Sequence, residues 1–187
     1  MRRLRTLSLL LLSTSAAAAL AAPFKQTLRL EGVTFVVQAV GEGSTQVLQV
    51  RANKGMQPYP LVKQELIGRV SSAEVNDLNS DGQPELVVFV QSGGSGSYGS
   101  VQAWSAGERR LEPIILPELT GKLGQGYMGH DRFALVHTKL VRRFPIYRPA
   151  DSNAKATGGS REIVYKLVAG EAGWLFQPIS HTDAPPQ

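Results

Sequence analysis

Two neighbouring stretches of this sequence hold the side chains best placed to do chemistry. The first is Asp77-Leu78-Asn79-Ser80-Asp81-Gly82-Gln83-Pro84-Glu85. Counted from Asp77, oxygen-bearing side chains stand at positions 1, 3, 5 and 9, with glycine at 6, a spacing able to wrap a hard cation such as calcium. Asp77, Asn79, Asp81 and Glu85 would supply side-chain oxygens and Gln83 a carbonyl. The bidentate glutamate that completes such a loop is missing, because position 12 is Val88. The same residues also make a tight turn between strands, with Asp and Asn bonding their own backbone. Both readings stand on the sequence, and a metal here would be structural.

The second stretch is Ser92-Gly93-Gly94-Ser95-Gly96-Ser97-Tyr98-Gly99-Ser100, which interrupts an apolar run, Leu86 to Val90. Its glycines are expected to allow φ > 0 and a narrow, protruding turn. In such a turn Ser95 and Tyr98, three apart, present two hydroxyls from one tip. Tyrosine buries a rigid apolar face at low entropic cost and keeps a donor at its end. A loop of this kind is shaped to enter a cleft. Hydroxyl donors suit a cleft lined with carboxylates, and glycosidases keep two of those at the centre of theirs. The alternative is a mobile hairpin connection whose tyrosine folds back onto the sheet.

Catalysis finds little support. His130, His137 and His181 are scattered, and no G-x-S-x-G elbow, P-loop or dinucleotide fingerprint is present. His137 sits in a strand pattern and reads as structural. Asp131 beside His130 would point to the opposite face of a strand. The sequence has no cysteine, which excludes thiol catalysis, thiolate metal sites and disulfide staples. The chain is therefore read as a non-enzyme, although spacing alone does not decide whether the fold assembles a pair of carboxylates.

The elements that must position these stretches are strands. "VTFVVQAV" and "TQVLQVRA" flank a hairpin loop, Gly41 to Ser44. "ELVVFV" is apolar without alternation, as in a central strand covered on both faces. "RFALVHTKLVRRFPIY" makes one long strand or two, "REIVYKLV" and "WLFQPI" follow, and Pro117 to Gly126 is a weak helix candidate. The pattern predicts an all-β single domain, an antiparallel β-sandwich of roughly eight to ten strands with little helix. The basic cluster Lys139 to Arg143 reads as a solvated strand edge, and the tail "HTDAPPQ" as frayed.

The amino-terminal residues stand apart. Arg2, Arg3 and Arg5 precede an apolar Leu/Ala/Ser segment, and Ala19-Leu20-Ala21 offers a cleavage site after Ala21. Residues 1–21 are thus expected to be a signal peptide and 22–187 the exported, periplasmic domain, with no membrane anchor. Cleavage removes three arginines and takes the net charge from +5 to +2. That balance and the lack of a dense basic stripe argue against nucleic acid.

The chain resembles the periplasmic inhibitors of invertebrate-type (i-type) lysozyme. "SGSY", Ser95 to Tyr98, matches that family's S-G-x-Y inhibitory loop, and "DLNSDGQPELVVFV" resembles the segment leading into it. "RFPIYRPADSNAKATGGSREIVYKLV", Arg143 to Val168, resembles a second family stretch. The resemblance implies a proteinaceous inhibitor with a β-sandwich fold, often a homodimer. Its partner is lysozyme, and Ser95, Gly96, Ser97 and Tyr98 form the binding loop. No cofactor is implied. The rival reading is a calcium-stabilised envelope-binding module without inhibitory activity.

Overall fold

The computed structural model describes residues 23–171 and 173–186. The signal segment read at 1–21 lies outside them. The described chain is all-β, as expected, in two sheets with a single four-residue helical turn, α1 (Gly121–Gly124), inside the weak helix candidate. Among the described residues thirteen strands form where eight to ten were expected, because Phe24–Leu30 and the two-residue Gln57–Pro58 add to those read and residues 62–76 divide at Gly68.

The smaller sheet holds β1 (Phe24–Leu30), β2 (Val33–Val40), β3 (Thr45–Lys54), the two-residue β4 (Gln57–Pro58) and β5 (Val62–Ile67). Antiparallel pairing runs β1-β2-β3, and β4 and β5 both pair with β3. The larger sheet holds β6 (Arg69–Asn76), β7 (Glu85–Gln91), β8 (Gly99–Ala106), β9 (Leu111–Ile115), β10 (Arg132–Val136), β11 (Lys139–Pro145), β12 (Ser160–Gly170) and β13 (Gly173–Ala184). Its spatial order is β10-β11-β12-β13-β9-β8-β7-β6, antiparallel except for the β13–β9 pair.

Strand β7 explains how the layers stack. Successive side chains point to opposite faces. Leu86, Val88 and Val90 join Phe35, Val37, Leu48 and Val50 of the smaller sheet in one core. Val87 and Phe89 join Leu140, Phe144, Ile163, Tyr165, Leu167 and Phe176 in another. Those six come from the far strands of β7's own sheet, so that sheet curls back on itself into a nearly closed barrel. Both faces of β7 are covered, hence its unalternating apolar run. Each such side chain, fully buried, contributes roughly 1.5–3 kcal/mol of transfer free energy.

The seam of the barrel lies between β6 and β10, at the two ends of the sheet order. Phe89 stacks on Phe133 across it, with centroids 6.3 Å apart. Asn76 Nδ2 donates to the His137 carbonyl at 2.6 Å. His137 is not inside a strand as expected. It turns the β10–β11 hairpin with φ of +53°, and "RFALVHTKLVRRFPIY" is therefore two strands.

The carboxy-terminal tail also departs from expectation. His181 to Ala184 continue β13, paired with Ser160 to Ile163 of β12. A fork of hydrogen bonds holds it there: Arg161 Nε and Nη2 each donate to Asp183 at 2.7 Å. Arg161 Nη1 also donates to the Leu123 carbonyl of α1. Arg161 is a structural fastener.

Candidate functional site

β7 carries one candidate stretch at each end. The acidic turn precedes it and the Gly/Ser/Tyr loop follows it. Seven strand residues separate the two by roughly 20 Å at about 3.4 Å per residue. They do not form one site.

In the acidic turn the side-chain oxygens face the turn's own amides. Asp77 accepts from the Asp81 N–H at 3.1 Å and the Gly82 N–H at 3.0 Å. Asn79 Oδ1 accepts from the Asp81 N–H at 3.2 Å, and Asp81 Oδ1 from the Gln83 N–H at 2.7 Å. Gln83 is half-buried. Glu85 turns the other way, fully buried, accepting from the Leu78 N–H at 2.7 Å and from the Ser105 hydroxyl at 2.8 Å. Among the described residues no three His, Asp or Glu side chains converge to hold a metal. These side chains bond the backbone of the turn itself.

Glu85 makes this turn sensitive to pH. Burial, with a lesser contribution from Asp81 and Asp77, outweighs its two hydrogen bonds and pushes its pKa up to about 7. The folded value lies above the usual 4.5, so the native state holds a proton that the unfolded chain has released between those two values. Stability is then greatest below that window and falls as pH rises through about 7, by at most about 3 kcal/mol. Melting temperature is expected to drop between pH 5 and 8, roughly the span of this titration. Glu85→Gln, which can keep both hydrogen bonds, is expected to flatten the profile.

The Ser92–Ser100 stretch is the β7–β8 connection, and it is fastened at several points. Ser92 N–H donates to the Tyr98 carbonyl and Tyr98 N–H to Ser92 Oγ, both at 2.8 Å. Ser97 N–H donates to the Gly94 carbonyl at 2.9 Å, closing the tip. Gln91 Nε2 donates to Ser97 Oγ at 2.8 Å and to the Ser97 carbonyl. Ser95 and Tyr98 are the exposed members of the tetrad, Tyr98 at 50%, while Gly96 is buried and Ser97 half-buried. The two hydroxyl-bearing residues singled out from the sequence are the two that face solvent.

The glycines serve a different purpose from the one expected. No loop glycine has positive φ; Ser97 does, at +42°. Two of them, Gly96 and Gly99, are needed for close approach. A Cβ on Gly96 would fall 2.4 Å from Cε2 of Tyr98, so the ring lies directly on that backbone. A Cβ on Gly99 would fall 2.7 Å from Cβ of Asp131.

Sequence reasoning missed the support on the other side, Gly126 to Asp131, which packs along the loop. His130 N–H donates to the Gly96 carbonyl at 2.7 Å. Gly129, with φ of +93°, sits so close that a Cβ there would be 2.1 Å from the Gly96 oxygen and 3.2 Å from Cδ1 of Tyr98. The Tyr98 ring meets Tyr127 edge-on, centroids 5.8 Å apart at 74°. Beneath lies a buried ion pair, Arg142 Nε to Asp131 Oδ1 at 2.7 Å. Asp131 Oδ2 accepts from the Tyr127 hydroxyl at 2.6 Å and the Gly99 N–H at 2.9 Å. Burial, then the hydrogen bond to Asp131, pushes the Tyr127 pKa far above its usual value, so this hydroxyl stays a donor.

Arg142 corrects the reading of Lys139–Arg143 as a solvated edge: it is 6% exposed, inside the barrel. The reason is phase. Leu140, Arg142 and Phe144 alternate on the inward face of β11, and the guanidinium carbon lies 4.8 Å from the Tyr127 ring centre and 5.2 Å from that of Phe133. A charged residue on the apolar phase of a strand was the signal available in the sequence.

No curated protein matches the chain. Residues 60–122, which run from the approach to β5 through the acidic turn, β7 and the fastened loop to α1, match the family described as "PliI: Periplasmic lysozyme inhibitor of I-type lysozyme", the family that the Ser95–Tyr98 loop and its approach resemble.

Proposed function

We propose that the mature chain inhibits invertebrate-type lysozyme in the periplasm by inserting the Ser95-Gly96-Ser97-Tyr98 loop into the enzyme's active-site cleft. The family match supports a periplasmic lysozyme inhibitor in general, and an inhibitor family is not an enzyme family. The observation that supports the loop as the working part is the half-exposed Tyr98 beside an exposed Ser95, on a connection whose backbone is fixed at both ends.

A cleft that cleaves glycosides presents two carboxyl groups about 5–10 Å apart. The Tyr98 and Ser95 hydroxyls are donors of the kind such carboxylates accept, and the ring fills the space a sugar would occupy. The loop and its rim are of a size to reach the roughly 1,200–2,000 Å² of a standard specific interface. A preformed loop avoids much of the ordering cost that a mobile one would meet on binding.

The test is inhibition of purified invertebrate-, chicken- and goose-type lysozymes by the mature protein. Selective inhibition of the invertebrate type is expected. Inhibition of a different class would keep the loop mechanism and change the target. Failure against every class, together with calcium-dependent melting and capture on peptidoglycan without enzyme, would replace the reading with an envelope-binding module held by Asp77, Asn79, Asp81, Gln83 and Glu85.

A further inference from the structure

We infer that Asp131 is a positioning residue for the inhibitory loop: its buried carboxylate fastens the loop's root and the aromatic ring beside it, so that Tyr98 is presented in place before the partner arrives. The inference rests on the reading of Ser95–Tyr98 as the lysozyme-binding element.

The geometry is economical. The Asp131 side chain is wholly buried, and both oxygens are used. Oδ2 holds two groups that bracket Tyr98: the N–H of Gly99, the next residue in the chain, and the hydroxyl of Tyr127, whose ring Tyr98 meets edge-on. Oδ1 holds Arg142, which supplies the compensating charge. The neighbouring His130 N–H adds a tie to the Gly96 carbonyl. Gly99 begins β8 and Asp131 immediately precedes β10, strands that are not neighbours in the sheet. No ladder hydrogen bond joins Gly99 to this segment; the Asp131 side chain does.

A role confined to core stability explains the arrangement less well. Replacing a buried ion pair by apolar groups of similar size is often neutral or stabilising, so the core alone gives little reason for Asp131 and Arg142 to face each other there. An apolar pair, however, offers no acceptor to the Gly99 N–H or the Tyr127 hydroxyl. The absence of a Cβ at Gly99 is what lets Asp131 come within reach. The polar pair and the glycine are both accounted for if the loop's attachment is what they serve.

The test is a double-mutant cycle on lysozyme inhibition by the full mature chain, below every variant's melting temperature, with amide exchange at Gly99 as a second readout. If the loop must order itself on binding, Asp131→Asn is expected to weaken inhibition by roughly 10- to 100-fold. In the Tyr98→Ala background the same change is expected to cost less than about 3-fold, because it acts through Tyr98. The Gly99 amide is expected to exchange at least about tenfold faster in Asp131→Asn, while amides of β12 keep their protection. An equal loss in both backgrounds would overturn the inference, as would unchanged Gly99 exchange. Should Asp131→Asn not fold, Asp131→Ala with Arg142→Met removes the acceptor and the unpaired charge together, and full-strength inhibition by that folded variant would overturn it equally. If Tyr98→Ala alone inhibits normally, the binding role of the loop fails, and Gly99 exchange still decides whether Asp131 anchors it.

Discussion

Tyr98→Ala is expected to weaken lysozyme inhibition by roughly 30- to 1,000-fold, on the order of 2–4 kcal/mol of binding, while leaving the fold intact. The ring is half exposed and rests on backbone at Gly96 and on the edge of Tyr127, so its removal opens no cavity in either core. An exposed position away from core and caps changes stability by only about 0.5 kcal/mol. Binding loses far more, because the ring is the largest apolar surface at the tip and the hydroxyl its farthest-reaching donor. The inhibition constant and the melting temperature, measured together, separate the two effects. Tyr98→Phe divides the loss between ring and hydroxyl, the latter expected to be about 1–3 kcal/mol as an unmet partner in a closed cleft.

Gly129→Ala is expected to cost nearly as much without touching the partner at all. Its φ of +93° is strained for any side chain, and the new Cβ would sit 2.1 Å from the Gly96 carbonyl oxygen, inside contact distance. The supporting segment must move off the loop, which breaks the His130 N–H to Gly96 bond and releases one side of the Tyr98 ring. Inhibition is expected to fall by about 10- to 100-fold, the cost of re-ordering the loop on binding. Melting temperature should fall too, since Gly129 and Gly96 are both buried. A normal inhibition constant for this variant would show that the loop binds equally well when released.

These positions show what the sequence made legible. β7 could be read directly, because covering both faces of a strand leaves a signature in five consecutive apolar residues, Leu86 to Val90. The two hairpin connections at its ends could be read as well, since turn chemistry is local, and Ser95 and Tyr98 emerged as the solvent-facing pair. The supports were hidden because they are not local. Gly99 meets Asp131 and Phe89 meets Phe133 only through the curl of an eight-stranded sheet, and no short spacing announces that curl. The tail was misread for a related reason: "HTDA" is polar, yet it is held by pairing to β12 and by the Arg161 fork, whose partner stands far back in the chain. The loop glycines were rightly picked out but given the wrong cause. Gly96 and Gly99 admit a neighbour at close range, and the one left-handed residue of the loop is Ser97.

The central claim is that the loop occupies the cleft itself. It is tested most directly by equilibrium binding of the mature protein to invertebrate-type lysozyme whose cleft is filled with an N-acetylglucosamine oligosaccharide. Mutually exclusive binding is the result expected: the apparent dissociation constant of the inhibitor should rise in proportion to oligosaccharide concentration, and Tyr98→Ala should bind poorly with or without sugar. An inhibitor affinity unmoved by a saturated cleft would contradict the claim and place the contact elsewhere on the enzyme.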